Sequence, residues 1–228
     1  MEILYVLPHA GGAAHSYRFL RDALQDRVDV RCLELPGRGR RAAEPGVQSW
    51  DEAIHEVSRL INPPLARTWA LFGHSMGALL GVEVLRQRAL RGLPMPAFFA
   101  PSGSPSPATR KREPIAHLPG AAFWTEVERY GGVPTEILAV ADFRDYFESI
   151  LRKDFAIIED SRPLDQKLNV PVHVFFGIAD MSIAEAESWR DVTSGDVQLH
   201  GFSGDHFFLF QHADEIARTV DAAFGRAR

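Results

Sequence analysis

Short strand-like apolar stretches alternate along this chain with stretches in which apolar residues recur every three or four positions. Ile3–Leu7, Trp69–Phe72 and Ala97–Ala100 are unbroken apolar runs, the length of strands buried on both faces, while Val28–Leu35, Val170–Phe176 and Val197–Phe202 are strand-length stretches interrupted by single polar residues. Between them lie helical stripes: Phe19, Leu20 and Leu24; Ile54, Val57, Leu60 and Ile61; Ala78, Leu79, Val82, Leu85 and Leu90; Ala184, Ala186 and Trp189; and Ile216, Val220 and Phe224. Ser49 is placed to cap the second helix, with Glu52 completing a capping box, and Asn62-Pro63-Pro64 ends it. Gly92 is a natural stop for the third. Strands alternating with helix-length crossovers predict a mostly parallel central sheet flanked by helices.

The alternation lapses once. Pro101–Pro107 is rich in Pro, Ser and Gly, and Arg110-Lys111-Arg112 is basic. Helical signals alone follow: Phe123, Trp124, Val127 and Tyr130, a break at Gly131-Gly132, a new start at Pro134 with Ile137 and Leu138, then Phe143, Tyr146, Phe147, Ile150 and Leu151. Residues 101–160 read as a helical insertion, either a lid over a site or ordinary outer helices. Its aromatics suit a pocket lining as well as simple packing.

Composition narrows the class. A chain of 228 residues, 46% hydrophobic and 24% charged, suits one domain, 1–228, carrying that insertion. A formal net charge of −5 gives no reason to expect nucleic acid. The one cysteine, Cys32, sits in an apolar run and cannot form an internal disulfide, which favours a reducing compartment. The first residues enter a strand without a basic, apolar leader, and no run approaches a membrane span, so a cytoplasmic protein with no membrane partner is expected. No metal and no cofactor is expected, and a monomer is.

The chemistry centres on Gly73-His74-Ser75-Met76-Gly77, a G-x-S-x-G pentapeptide between a strand and a helix. That context makes a nucleophile elbow, a tight turn presenting Ser75. Ligands gather at the C-terminal ends of strands in such a sheet. Two more groups fall there, Asp180 after the fifth strand and His206 after the sixth. Nucleophile, acid, histidine is the order of the α/β-hydrolase fold. His206 would take the Ser75 proton, and Asp180 would fix the imidazole tautomer. His74, His173 and His200 lie in the elbow or inside strands, and Asp205 is too close in sequence to reach the His206 ring. Asp154 and Asp160 remain alternative acids, otherwise solvated helix charges. The N–H of Met76 is one candidate oxyanion donor. The N–H of Ala10, in the small-residue loop Pro8–Ala14, is the other, unless that loop is a plain connection. Pro36-Gly37-Arg38-Gly39-Arg40-Arg41 reads as a solvated basic loop or a docking patch.

Five blocks in order now carry a family likeness: Pro8-His9-Ala10-Gly11-Gly12; Leu35-Pro36-Gly37-Arg38-Gly39-Arg40; Phe72–Leu79; His117-Leu118-Pro119 with Tyr130-Gly131-Gly132-Val133-Pro134; and Gly204-Asp205-His206-Phe207-Phe208-Leu209. Over nearly its full length the chain resembles the stand-alone type II thioesterases of polyketide and nonribosomal peptide biosynthesis. The resemblance implies hydrolysis of acyl thioesters on the phosphopantetheine arm of acyl or peptidyl carrier proteins, in an editing role. It also implies a mobile helical lid and carries the triad onto Ser75, Asp180 and His206. Product release and general carboxylester hydrolysis are the alternatives within the same chemistry.

Overall fold

The computed structural model describes residues 1–24, 26–109, 113–131 and 141–226. The basic stretch Arg110-Lys111-Arg112 and the helical signal at Pro134, Ile137 and Leu138 lie outside them. Six strands form one parallel sheet: β1 (Glu2–Leu7), β2 (Val28–Cys32), β3 (Trp69–His74), β4 (Phe99–Ser102), β5 (Val172–Gly177) and β6 (Val197–Phe202), in the spatial order β2-β1-β3-β4-β5-β6. Every residue of β3, β4 and β5 is buried, as unbroken apolar runs require of interior parallel strands.

Helices cover both faces. α2 (Trp50–Leu60) and α3 (Met76–Leu90) pack with Ile3, Tyr5 and Leu7 in one apolar cluster, while α1 (Arg18–Leu24) and the last helix, Ala213–Arg226, pack with Leu4 and Val6 in the other. Alternate residues of β1 thus feed opposite cores. α4 (Gly120–Glu128) and α5 (Ala141–Glu159) come from the insertion, and the C-terminal half of α5 joins the first cluster through Leu151, Phe155, Ile157 and Ile158. α6 (Ile183–Glu187) and the last helix, α7, complete the order.

Three boundaries depart from the sequence reading. β2 stops at Cys32 instead of running to Leu35, because it is an edge strand whose one neighbour, β1, ends one residue beyond the Val6↔Cys32 pair. β4 lies two residues further on than Ala97–Ala100: β3 pairs through His74↔Ser102, and Pro101 sits inside the strand. At α2 the Ser49 side chain accepts the Glu52 N–H at 3.2 Å, but the Glu52 carboxylate reaches past Ser49 to the Gln48 N–H at 2.7 Å. The reciprocal capping box forms instead at Ser182 and Glu185 of α6. Among the described residues no helix is long and apolar enough to cross a membrane.

The ladders align the strand ends that matter. Leu7 pairs with Gly73, His74 with Ser102, and Gly177 with Phe202. The loops leaving β1, β3, β5 and β6 therefore emerge along one edge of the sheet, carrying Ala10, Ser75, Asp180 and His206.

Candidate active site

Ser75 has φ 53° and ψ −111°, and among the described residues it alone departs from glycine with a positive φ. The turn is held by the Ser75 N–H, which donates to the Ser102 carbonyl at 2.7 Å. Its glycines answer to close backbone approach. A Cβ at Gly73 would lie 2.2 Å from the Gly77 carbonyl oxygen, and one at Gly77 would lie 2.1 Å from that of Leu7. Only without those carbons can α3 start tight against β1 and β3. Met76 opens α3, so its N–H is among the donors that a helix leaves without an intrahelical acceptor.

Asp180 and His206 meet across the next two strand exits. His206 Nδ1 and Asp180 Oδ2 are 2.8 Å apart, with the imidazole almost wholly buried. The two loops are stitched backbone to backbone: the Ile178 N–H donates to Phe202 at 2.9 Å and the Ala179 N–H to Gly204 at 3.1 Å. A Cβ at Gly177 would lie 2.2 Å from the Asp205 carbonyl oxygen. Asp205 itself turns to its own backbone, Oδ1 accepting the Phe207 N–H at 2.8 Å.

Ser75 and His206 line one cavity, with Met76, Leu79, Gly103, Tyr130, Phe155 and Ile158 around them. The Tyr130 ring stands edge-on to His206 at 5.4 Å between centroids and leans on Phe155 at 5.6 Å. Tyr130 lies just past the end of α4, and Phe155 and Ile158 come from α5, so the insertion supplies part of the wall.

The other histidines are occupied elsewhere. His74 is fully buried with Nδ1 2.9 Å from the Ser102 hydroxyl, and burial first, then the neighbouring His206 and His9, holds it neutral. His173 Nδ1 and His200 Nε2 are 3.1 Å apart on β5 and β6 with stacked rings, and burial lowers His173 to about 4. His9, beside Ala10, sits with Nδ1 2.8 Å from the Tyr17 hydroxyl. Burial, then His206, Arg38 and His15, lowers it to about 3.

The basic loop is divided: Arg38 is drawn into the protein and Arg41 is mostly covered, while Arg40 stands exposed. Arg38 is buried and forks onto Asp154 of α5, Nη1 to Oδ2 at 2.5 Å and Nη2 to Oδ1 at 2.6 Å. Arg40 pairs with Glu34 at 3.3 Å, and Arg41 with Glu44 at 2.5 Å and Glu56 at 2.7 Å. Asp154 is correspondingly no solvated helix charge: it is fully buried, and its Oδ2 also accepts the Gly11 N–H at 2.7 Å. Asp160 lies exposed just beyond α5. The sequence reading gave Arg38 and Asp154 other roles and did not name Glu34; no local pattern pairs Arg38 with a residue 116 positions away. Among the described residues no cluster of His, Cys, Asp and Glu could hold a metal ion.

Residues 2–224 match the thioesterase domain family. Linear gramicidin dehydrogenase LgrE of Brevibacillus parabrevis is 32% identical over 228 residues, spanning 96% of this chain and 86% of that protein. Among solved structures, ClbQ from the colibactin NRPS/PKS pathway superposes with a TM-score of 0.90 at 27% identity, covering 100% of this chain and 98% of that one. The type II thioesterase BorB from the borrelidin biosynthetic cluster superposes with a TM-score of 0.86 at 29% identity, covering 100% and 93%.

Proposed function

The chain belongs to the thioesterase domain family, and we propose that it is a serine thioesterase that clears acyl groups from the phosphopantetheine arm of carrier proteins in polyketide or nonribosomal peptide biosynthesis. The observation that carries this reading is the 2.8 Å Asp180–His206 contact beside Ser75 in its elbow, on a chain similar throughout to BorB and ClbQ. His206 Nε2 takes the proton of Ser75 Oγ as Oγ attacks the thioester carbonyl carbon. The developing oxyanion is met by the N–H groups of Met76 and Ala10. The C–S bond breaks, the pantetheine sulfur leaves with the proton from His206, and the acyl group stays on Ser75. Water then attacks the same carbon with His206 again as base, releasing a carboxylic acid and free Ser75. Asp180 keeps Nδ1 protonated throughout, so Nε2 faces the serine. Tyr130, Phe155 and Ile158 bound the acyl side of the site, and residues 101–160 act as its lid. The single Cys32, which leaves no internal disulfide, suits a reducing, cytoplasmic compartment.

The test compares kcat/KM for one acyl group as a carrier-bound thioester, as a pantetheine thioester and as the matching oxygen ester. The carrier thioester is expected to lead, because contacts remote from the reacting carbon position it and raise turnover. Equal values on carrier and pantetheine remove the carrier from the reading, and a lead for the oxygen ester makes the protein a carboxylesterase.

A further inference from the structure

The loop that offers the Ala10 N–H is held from outside by two buried carboxylates. At its far end the Ala14 N–H donates to Glu34 Oε1 at 2.9 Å. In its middle the Gly11 N–H donates to Asp154 Oδ2 at 2.7 Å. Within the loop, the Gly12 N–H closes a turn onto the His9 carbonyl at 2.9 Å. Gly11 has φ +74°, a conformation in which glycine is otherwise the freest residue of a loop. The His9 carbonyl that accepts the Gly12 N–H shares its peptide plane with the Ala10 N–H, and pinning the Gly11 N–H holds the next plane, between Ala10 and Gly11, so the turn that sets the direction of the Ala10 N–H is tied on both sides of Ala10.

Asp154 can do this because it is itself immobile. Both its oxygens are gripped by the Arg38 guanidinium at 2.5 and 2.6 Å, a two-pronged match that sets the carboxylate plane. One turn earlier on α5, Leu151 closes over the same glycine: a Cβ at Gly11 would lie 2.9 Å from Leu151 Cδ2. An apolar pair of similar volume could replace a buried ion pair without loss of stability. It could not accept the Gly11 N–H. That is the service the charge pair performs.

We propose that Asp154 is a positioning residue for the oxyanion hole: locked by Arg38, its carboxylate orients the Gly11 amide and so aims the Ala10 N–H at the developing oxyanion. This rests on the thioesterase reading above and on Ala10 as the second donor. An oxyanion donor is useful to the extent that it is preorganised, and loss of one costs about 10²–10³ in kcat.

Two double variants separate positioning from packing. Arg38→Met with Asp154→Leu removes the ion pair and the acceptor. Arg38→Met with Asp154→Asn removes the ion pair and keeps an acceptor for the Gly11 N–H. Steady-state kinetics on an acyl-pantetheine thioester should show kcat down about 10²-fold, with KM little changed, in the leucine variant, and most of that loss restored in the asparagine variant. Wild-type kcat in a folded leucine variant, or an equal loss in both, overturns the proposal. Ser75→Ala runs alongside: turnover surviving there refutes the serine mechanism itself, whereas its loss together with a silent leucine variant refutes only the role of Asp154. Should either double variant fail to fold by circular dichroism, amide exchange in the wild-type protein decides. Protection of the Gly11 amide comparable to that of β3 upholds the clamp, and exchange at the rate of an open loop removes it.

Discussion

Replacing Ser75 by glycine should leave a dead but more stable protein than replacing it by alanine. The backbone there, at φ 53° and ψ −111°, lies outside the regions open to residues with a Cβ. Holding such a residue costs roughly 1–3 kcal/mol. Ser75→Ala removes the hydroxyl and keeps the Cβ, so it keeps that strain. Ser75→Gly removes the hydroxyl and the Cβ together. Against the relief stands the greater freedom of glycine in the unfolded chain, roughly 0.5–1 kcal/mol. The balance favours glycine by up to about 2.5 kcal/mol, the reverse of the order at an unstrained position. For a chain of this length each kcal/mol moves Tm by about 2–4 °C. Paired urea and thermal melts of the two variants read the difference directly, and both should have lost about 10⁴-fold or more in turnover. An alanine variant as stable as the glycine variant, or more so, would mean that the elbow carries no strain, and the argument for how Ser75 is presented would fall with it.

Asp180→Asn should lower kcat by about 10⁴-fold with the fold intact, because the amide favours the wrong imidazole tautomer; near-normal turnover would strip Asp180 of its role. Stability should fall as the pH drops from about 6.5 toward 4. Burial holds the folded pKa values of His9, His74 and His173 below that of the unfolded chain, His9 at about 3 and His173 at about 4, so in this window the unfolded state binds more protons. Each contributes a slope of up to about 1.4 kcal/mol per pH unit, and urea midpoints unchanged between pH 7 and pH 5 would contradict the burial of neutral imidazoles. Within α5, amides of residues 151–159 should exchange slowly and those of residues 141–147 quickly, since the first group is largely buried and the second almost entirely exposed; uniform rates along the helix would count against this division.

What the sequence disclosed, it disclosed through local pattern. The runs of β1, β3 and β4 marked strands because interior parallel strands are buried on both faces, and β2 and β6, at the edges, showed as stretches broken by polar residues. Ser75 was visible because the glycines an elbow needs are its immediate neighbours. Asp180 and His206 were visible by position, each in the loop just beyond a run. Edges were harder to see. Leu33 and Leu35 continue the apolar positions of β2 and are buried, yet the ladder has ended because β1 stops at Leu7, one residue past its last pair with β2. Arg38 was the most misleading residue. In a run of arginines and glycines its charge pointed outward, but its partner Asp154 stands 116 positions away. Only the closed fold brings the two together, and no period of 2 or 3.6 encodes such a pair.

That pair also limits how the insertion can move. If residues 101–160 act as a lid, opening cannot lift α5 as one rigid rod. Its C-terminal half carries Asp154, bound to Arg38 and to the Gly11 amide, along with the buried Leu151, Phe155, Ile157 and Ile158. Separating a buried ion from its partner costs about 3–5 kcal/mol, before any apolar surface is exposed. Its N-terminal half is held by partly exposed contacts, the Trp124 indole N–H donating to Glu148 at 2.6 Å and Arg152 pairing with Glu148 at 2.7 Å, with Phe143 and Tyr146 exposed. Movement confined to residues 141–147 would leave Phe155 and Ile158, the α5 part of the cavity wall, in place and the oxyanion loop clamped. The clamp that holds the Gly11 amide therefore also holds that wall, and opening by the insertion would have to come on the Tyr130 side of the cavity.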